Sequence, residues 1–386
     1  MNPGPALRTG SHPLLAVLGG EPAFPDKLHV GRPNLGDRER FLSRVERILD
    51  SAWLTNDGPF AKDFERRVAA LAGTRHAIAM CNATIALELV TRALGMRGEV
   101  ILPAFTFVAT AHALQWQEVR PVFADVDPRT HNLDPASVER LITPHTTGIV
   151  GVHVWGRACA VEDLQALADE RGLQLVFDAA HALGCTHRGR PIGGFGRAEV
   201  FSFHATKVCN SFEGGVVTTN DDELAQKLRL MRNFGFAGKD RVVHLGSNGK
   251  LNEVSAAMGL TSLDSLDEFV ATNRANHRRY AERLRGLAGL ALLEYDPRER
   301  NNHQYVVVEV DPDRSALTRD ELVAVLEAEG CLARRYFYPG VHRMEPYRSL
   351  QPVAALALPA TASATGSYSV YACKGPTGTS APAAGW

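Results

Sequence analysis

Residues 175–215 read LVFDAAHALGCTHRGRPIGGFGRAEVFSFHATKVCNSFEGG. A short apolar run closes on Asp178, a second run ends at Phe201-Ser202-Phe203-His204, and Lys207 follows it. An acid at the end of one buried strand and a lysine just past another suit pyridoxal phosphate (PLP) chemistry. The lysine can hold an aldehyde as a Schiff base, and the acid can keep the pyridine nitrogen protonated so that the ring accepts electrons. Ligands of open α/β sheets sit beyond the carboxyl ends of strands, which is where Asp178 falls.

Outward from this stretch, the pattern alternates. Short apolar runs at 76–80, 99–102, 119–123, 147–152, 173–177, 198–203 and 215–219 predict strands. Helical periodicity lies between them at 83–94, 106–116, 135–142 and 161–171, preceded by helices over 37–51 and 61–72. Such alternation predicts an α/β fold with a mainly parallel sheet and helices on both faces. Helices dominate the expectation from 221 to 287. A smaller α+β region follows, with strands at 304–310 and 331–334 around a helix at 318–328. This gives an N-terminal arm over 1–30, a large cofactor-binding domain over 31–265 and a small C-terminal domain over 266–358. From 359 to 386 the chain is poor in charge and has no apolar period, so a poorly ordered tail is expected there.

Composition excludes several classes. The chain has 386 residues, 45% hydrophobic and 22% charged, with a formal net charge of -1. No global field points to nucleic acid or a membrane surface. Arg274, His277, Arg278 and Arg279 form a basic run without interleaved aromatics, which reads as a solvated helix face. Six cysteines are scattered without C-x-x-C spacing, which argues against a zinc site or a disulfide framework and suits a reducing cytoplasm. No apolar run reaches transmembrane length. Gly193-Gly194-Phe195-Gly196 precedes a predicted strand instead of opening a helix, so it lacks the context of a dinucleotide loop.

A phosphate needs donors. Asn82 is a suitable N-cap for the helix starting Ala83-Thr84, whose first-turn amides and Thr84 hydroxyl can receive a dianion.

Over roughly residues 30 to 350 the chain resembles the DegT/DnrJ/EryC1/StrS family of nucleotide-sugar aminotransferases. The motifs that carry the likeness are Asp178-Ala179-Ala180-His181, Ser202-Phe203-His204-Ala205-Thr206-Lys207 and Glu213-Gly214-Gly215. The resemblance implies fold-type I, the aspartate aminotransferase-like architecture, and a homodimer with shared active sites. It implies Lys207, Asp178 and His181 as catalytic residues, with His181 near the cofactor's 3-hydroxyl. Ala83, Thr84 and Ser202 would hold the phosphate, and Asn248 would reach the partner's phosphate across the dimer. Phe107 would stack on the pyridine ring, with Phe105 as its competitor. Facing the sugar nucleotide it implies Thr55, Asn56, His153, His204, Asn210, Tyr336, Tyr338 and His342, and no metal ligand.

Within this family, members acting at C-3 of the sugar commonly read S-F-Y-P-x-K-N-L-G-A-x-G-D-G-G. Those acting at C-4 commonly read S-F-H-x-T-K…E-G-G, as here. The implied substrate is a dTDP-4-keto-6-deoxy sugar, with glutamate as amino donor. Three alternatives stand beside it. They are a C-3 ketosugar aminotransferase, a sugar dehydratase (which carries histidine at the lysine position) and a non-catalytic regulator that keeps the fold.

Overall fold

Seven strands form the central sheet, and their order follows from where each crossover helix returns the chain. The structure, a computed structural model, describes residues 14–350, 357–364 and 368–369. Across the sheet the strands run His76–Met80, Gly215–Thr219, Ala198–Ser202, Gln174–Asp178, Thr146–Val152, Glu99–Pro103 and Arg120–Ala124. Gly215–Thr219 is antiparallel to both neighbours, and the other pairings are parallel. The register decides what meets at one edge. Val152 pairs with Asp178, and Gly215 pairs with both Met80 and Ser202. The carboxyl ends of six strands and the amino end of the reversed one therefore share an edge. Asn82, Phe107, Asp178, Lys207 and Glu213 all follow or precede strands at that edge.

Alternation along each strand divides the core into two layers. Ile149, Leu175, Phe177, Phe201 and Val216 pack on one face with Phe64 and Phe203. Val100, Val150, Val176, Val200 and Val217 pack on the other with Leu87, Val90 and Leu228. Central strands buried on both faces read as continuous apolar runs, as they do here.

Several elements depart from expectation for identifiable reasons. The helix expected over 106–116 is Val108–Gln115, because Phe107 is extended and acts as its N-cap. The strand expected over 304–310 shortens to Val307–Val310, since a polar run from Asn301 to Gln304 is spent on side-chain bonds to other loops. Helix is interrupted from Arg232 to Asn252 by an irregular excursion held by the bridges Asn233–Asn248 and Phe236–Val242. Leu290–Leu292, not expected as a strand, pairs with Val307–Val310. At the start of the described chain, Glu329 accepts the amides of Ala16 and Ala23, and Leu28–His29 pairs in parallel with Cys331–Leu332.

The expected tail needs correction. Pro359–Ala364 is a helix with Thr361 and Ala364 buried, and Tyr368–Ser369 adds a strand to Val307–Val310. The helix owes its place to a distant residue. Asp125 accepts the amides of Ala360 and Thr361 and the Thr361 hydroxyl. A six-residue helix cannot sustain itself in water, so this remote capping supplies what local sequence lacks. The rest of the segment lies outside the described residues, as do the first thirteen residues of the arm.

Asp125→Ala should cost about 1–2 kcal/mol of local stability. Amide exchange of the peptide 357–364 should quicken by roughly 5–30-fold. Unchanged exchange would show that the helix holds without its cap.

Candidate active site

Asp178 ends its strand nearly sealed from solvent, with 6% exposure. Its Oδ2 accepts the Thr110 hydroxyl (2.9 Å) and its Oδ1 accepts the Ala180 amide (3.1 Å). Thr106 and Thr110 oxygens lie 2.8 Å apart, so a hydroxyl pair supports the carboxylate. Burial pushes the Asp178 pKa up, while the Ala180 and Thr110 hydrogen bonds and the charge of Lys207 favour its ionised form.

Lys207 follows Ser202 on a loop past the adjacent strand. Its side chain keeps some accessible surface but is crowded by protein. That burial lowers the amine to about 8, with Asp178 pulling the other way. Nζ stands 3.5 Å from the buried Tyr305 hydroxyl. Gln304 brackets the lysine along the main chain. Its Nε2 donates to Thr206 O (2.9 Å), and its Oε1 accepts the Val208 amide (2.9 Å).

His181 completes the group. Trp155 donates its amide to Nδ1 (3.2 Å), which places a neutral ring's proton on Nε2. Burial and the Lys207 charge both hold this histidine well below its ordinary pKa. Tyr305 (4.4 Å between centroids), Tyr336 (6.4 Å) and Phe337 (6.1 Å, stacked) surround the ring. Asn302 donates to His181 O and Leu183 O, and Asn301 donates to Gly156 O.

A phosphate-sized anion has a cradle nearby. Asn82 caps the helix Ala83–Ala93 by accepting the Ile85 amide, and the amides of Ala83 and Thr84 have no acceptor within the helix. Gly215 presses against this terminus so closely that a Cβ there would lie 2.5 Å from Ala83 N. Ser202 is buried at 9% exposure, and its oxygen accepts the His204 amide (3.3 Å). Phe107 is 57% exposed, one turn before Thr110, whereas Phe105 is core against Trp155 and Phe337. An open aromatic one turn from the threonine that holds Asp178 suits a planar ligand, and Phe105 is unavailable for it.

Several expected contacts fall elsewhere. His153, expected to face the sugar, is placed in the core. It is fully buried, stacked on Phe177, with Nε2 2.9 Å from Glu199 and Nδ1 accepting the Cys159 amide. Asn210 is also enclosed, joining Asn34 O to the Phe212 amide. His342 is buried beside Phe123 in the layer beneath the edge. Tyr338 lies under the guanidinium groups of Arg319 and Arg335. Of this group Tyr336 stands by His181 and Tyr305, and the exposed His204 accepts the Lys207 amide through its carbonyl (2.9 Å). His204 bonds Thr206 through Nδ1 and lies 3.6 Å from Glu213.

Thr55 and Asn56 belong to a different place within the chain. Asn56 lines a cavity of about 400 Å³ with Asp57, Lys62, Arg229, Arg232 and Lys250, and Lys207 is not among its walls. Glu253 holds this loop by accepting the Phe60 and Ala61 amides, and a Cβ at Gly58 would meet its carboxylate at 2.4 Å. Asn248 is exposed and accepts from Lys250 (2.6 Å).

Sequence reasoning missed Thr110, Gln304, Tyr305 and Glu199. The signals were present as a second threonine one helical turn after Thr106, a polar run before a strand, and one acid inside an otherwise apolar strand.

A profile of the DegT/DnrJ/EryC1/StrS aminotransferase family matches residues 36–370. The chain belongs to that family. It is 36% identical over 326 residues to the dTDP-4-amino-4,6-dideoxy-D-glucose transaminase of Shigella dysenteriae, covering 84% of this chain and 89% of the relative. It is 35% identical to the GDP-perosamine synthase of Caulobacter vibrioides, covering 84% and 88%. Among solved structures, DesI in the presence of its TDP-sugar product is similar with a TM-score of 0.89 and 52% identity, covering 92% of this chain and 91% of that one. This family member is an enzyme, a sugar aminotransferase of fold-type I. The regulator alternative is thereby set aside.

In protein freed of any bound aldehyde, reductive labelling of Lys207 should follow its neutral fraction, rising with pH to half-maximum near 8. Asp178 favours the ammonium form, so Asp178→Asn should move that midpoint lower. Peptide mass spectrometry across a pH series reads both. A midpoint near 10.5, or one unmoved by the substitution, would contradict this electrostatic account.

Proposed function

We propose that this enzyme binds PLP at Lys207 and moves an amino group from glutamate to the C-4 keto group of a dTDP-4-keto-6-deoxy sugar. The observation that carries the reading is that the buried Asp178 and the half-buried Lys207 share one sheet edge, each influencing the other's charge, with the open helix terminus at Ala83-Thr84. These residues fit the cofactor in their donors, charge and spacing along the sheet edge. PLP held there supplies a carbonyl for the lysine amine and an electron-accepting ring.

Each residue then has a task. Asp178, its own oxygens held by Thr110 and Ala180, keeps a proton on a ring nitrogen opposite it. Ala83 and Thr84 amides, with the Ser202 hydroxyl, receive the phosphate. The exposed Phe107 would stack on the ring, and His181, with its proton on Nε2, would serve as a hydrogen-bond donor to the cofactor. Lys207, lowered to about 8, has a sizeable neutral fraction near physiological pH and can both take and return a proton at the reacting carbon.

The C-4 reading rests on His204 where C-3 members carry tyrosine, and on Glu213 facing it beside the lysine. The Shigella relative's activity supports the same position, and DesI supports a TDP-linked sugar. A second copy of the chain fits the excursion 232–252. Phe234, Phe236, Val242, Val243 and Leu245 are exposed there around Asn248. An apolar patch of this kind marks an interaction surface, and in a homodimer Asn248 would reach the partner's phosphate site.

Lys207→Ala should abolish turnover, and borohydride should trap PLP on Lys207 in the unaltered enzyme. With glutamate as donor, dTDP-4-keto-6-deoxyglucose should be aminated at C-4 at least roughly tenfold faster than any 3-ketosugar, since about 1 Å of misplacement costs on the order of 100-fold. Product NMR across dTDP-, UDP- and GDP-linked ketosugars decides it, and equal turnover of a 3-ketosugar would overturn the C-4 assignment. For the dimer, Asn248→Ala mixed with Lys207→Ala should regain activity through the one intact shared site. Mixed dimers that form yet stay inactive would place Asn248 in its own chain's site.

A further inference from the structure

Among the described residues, the pair His153–Glu199 is the one fully buried acid–base contact that the chemistry above does not use. Both side chains have 0% exposure. Cys159 donates its amide to His153 Nδ1 (3.0 Å), so the ring's proton lies on Nε2 and points at Glu199 Oε1 (2.9 Å). The His153 amide donates to Asp178 O (3.0 Å), and the ring stacks on Phe177 at 4.7 Å. Glu199 sits beside Phe177 in the sheet register. The histidine thus touches both sides of the strand end that presents Asp178.

It also fixes the turn that follows. Between His153 and Cys159, Trp155 takes a left-handed φ of 57°, and its amide donates to His181 Nδ1. Val154 donates to Asn132 Oδ1, and Gly156 O accepts from Asn301. A residue with positive φ persists only where its surroundings over-determine it. His153 closes this turn with one ring nitrogen while the other is anchored in the sheet.

A buried charged contact is a poor source of net stability, because desolvation offsets the attraction. Geometric specification is the better account of it here. We propose that Glu199 and His153 are a positioning pair. Glu199 holds the His153 ring, and through Cys159 and Trp155 that ring sets the His181 tautomer and the direction of the Asp178 carboxylate. Neither residue touches the reacting atoms. The inference rests on the reading that PLP binds at Lys207.

The test compares Glu199→Leu, His153→Phe and Glu199→Gln in the full chain. Leucine removes the acceptor, phenylalanine keeps the stack on Phe177 but loses both hydrogen bonds, and glutamine retains an acceptor for Nε2–H. Outer partners that orient binding ligands are typically worth about 10–100-fold in affinity or activity. We therefore expect the PLP dissociation constant to rise at least about tenfold in the first two variants and to stay within about threefold in Glu199→Gln. Without PLP, amide exchange in 153–159 and 178–183 should quicken in the same two variants, while the strands around Ile78 and Val100 remain protected. Folded variants with unaltered exchange and PLP affinity would overturn the proposal. So would a uniform rise in exchange across the sheet, failure of both variants to fold, or a Glu199→Gln protein as impaired as Glu199→Leu. If the unaltered chain takes up no PLP, the functional reading fails separately, and the exchange comparison still decides the pair.

Discussion

Asp178 is buried and Lys207 is half-buried beyond the adjacent strand, and the charge of each favours the ionised form of the other. Each is tolerable because the other is near, and each is shifted from its ordinary titration by the same burial. Removing either charge takes away the attraction that offsets part of the other's burial, while Thr110 and Ala180 continue to hold the Asp178 carboxylate. Much of the surrounding structure serves this arrangement. Adjacent parallel strands bring the two residues to one edge, the Thr106–Thr110 hydroxyls support the carboxylate, and Gln304 fixes the main chain on both sides of the lysine.

Three layers of control are visible around that centre. The sheet register sets which residues arrive at the edge. The segment Asn301–Tyr305, far away in sequence, then ties the turn at Gly156, the loop at His181 and the lysine loop into one unit. Buried groups with every hydrogen bond assigned rigidify a site and specify one arrangement of it. The aromatic rings of Tyr305, Tyr336 and Phe337 stand around His181, whose burial, with the charge of Lys207, holds its pKa well below the ordinary value.

The polar residues divide by how far they stand from this unit. His204 and Glu213 are both exposed and face each other at 3.6 Å. His153 and Asn210 look the same in sequence, yet their partners are internal. A buried polar group must be paired, so residues already satisfied by Glu199 or Asn34 have little left to offer a ligand.

Sequence alone determined the strands and helices of the large sheet, because buried parallel strands and amphipathic helices leave periodic signals. It also placed Asp178 at a strand end, Lys207 beyond a strand and Ala83 at a helix start, since each lies at or near an element boundary. Only the tertiary structure decided the rest. Pro359–Ala364 has no local reason to be helical and depends on Asp125, more than two hundred residues earlier. Tyr305 and Gln304 reach Lys207 across about a hundred positions of chain. His153 could be separated from a substrate ligand only by its contact with Glu199. Local pattern reports which way a side chain faces along its own element, whereas pairing across a core depends on which elements meet. That is fixed by the packing of the whole chain.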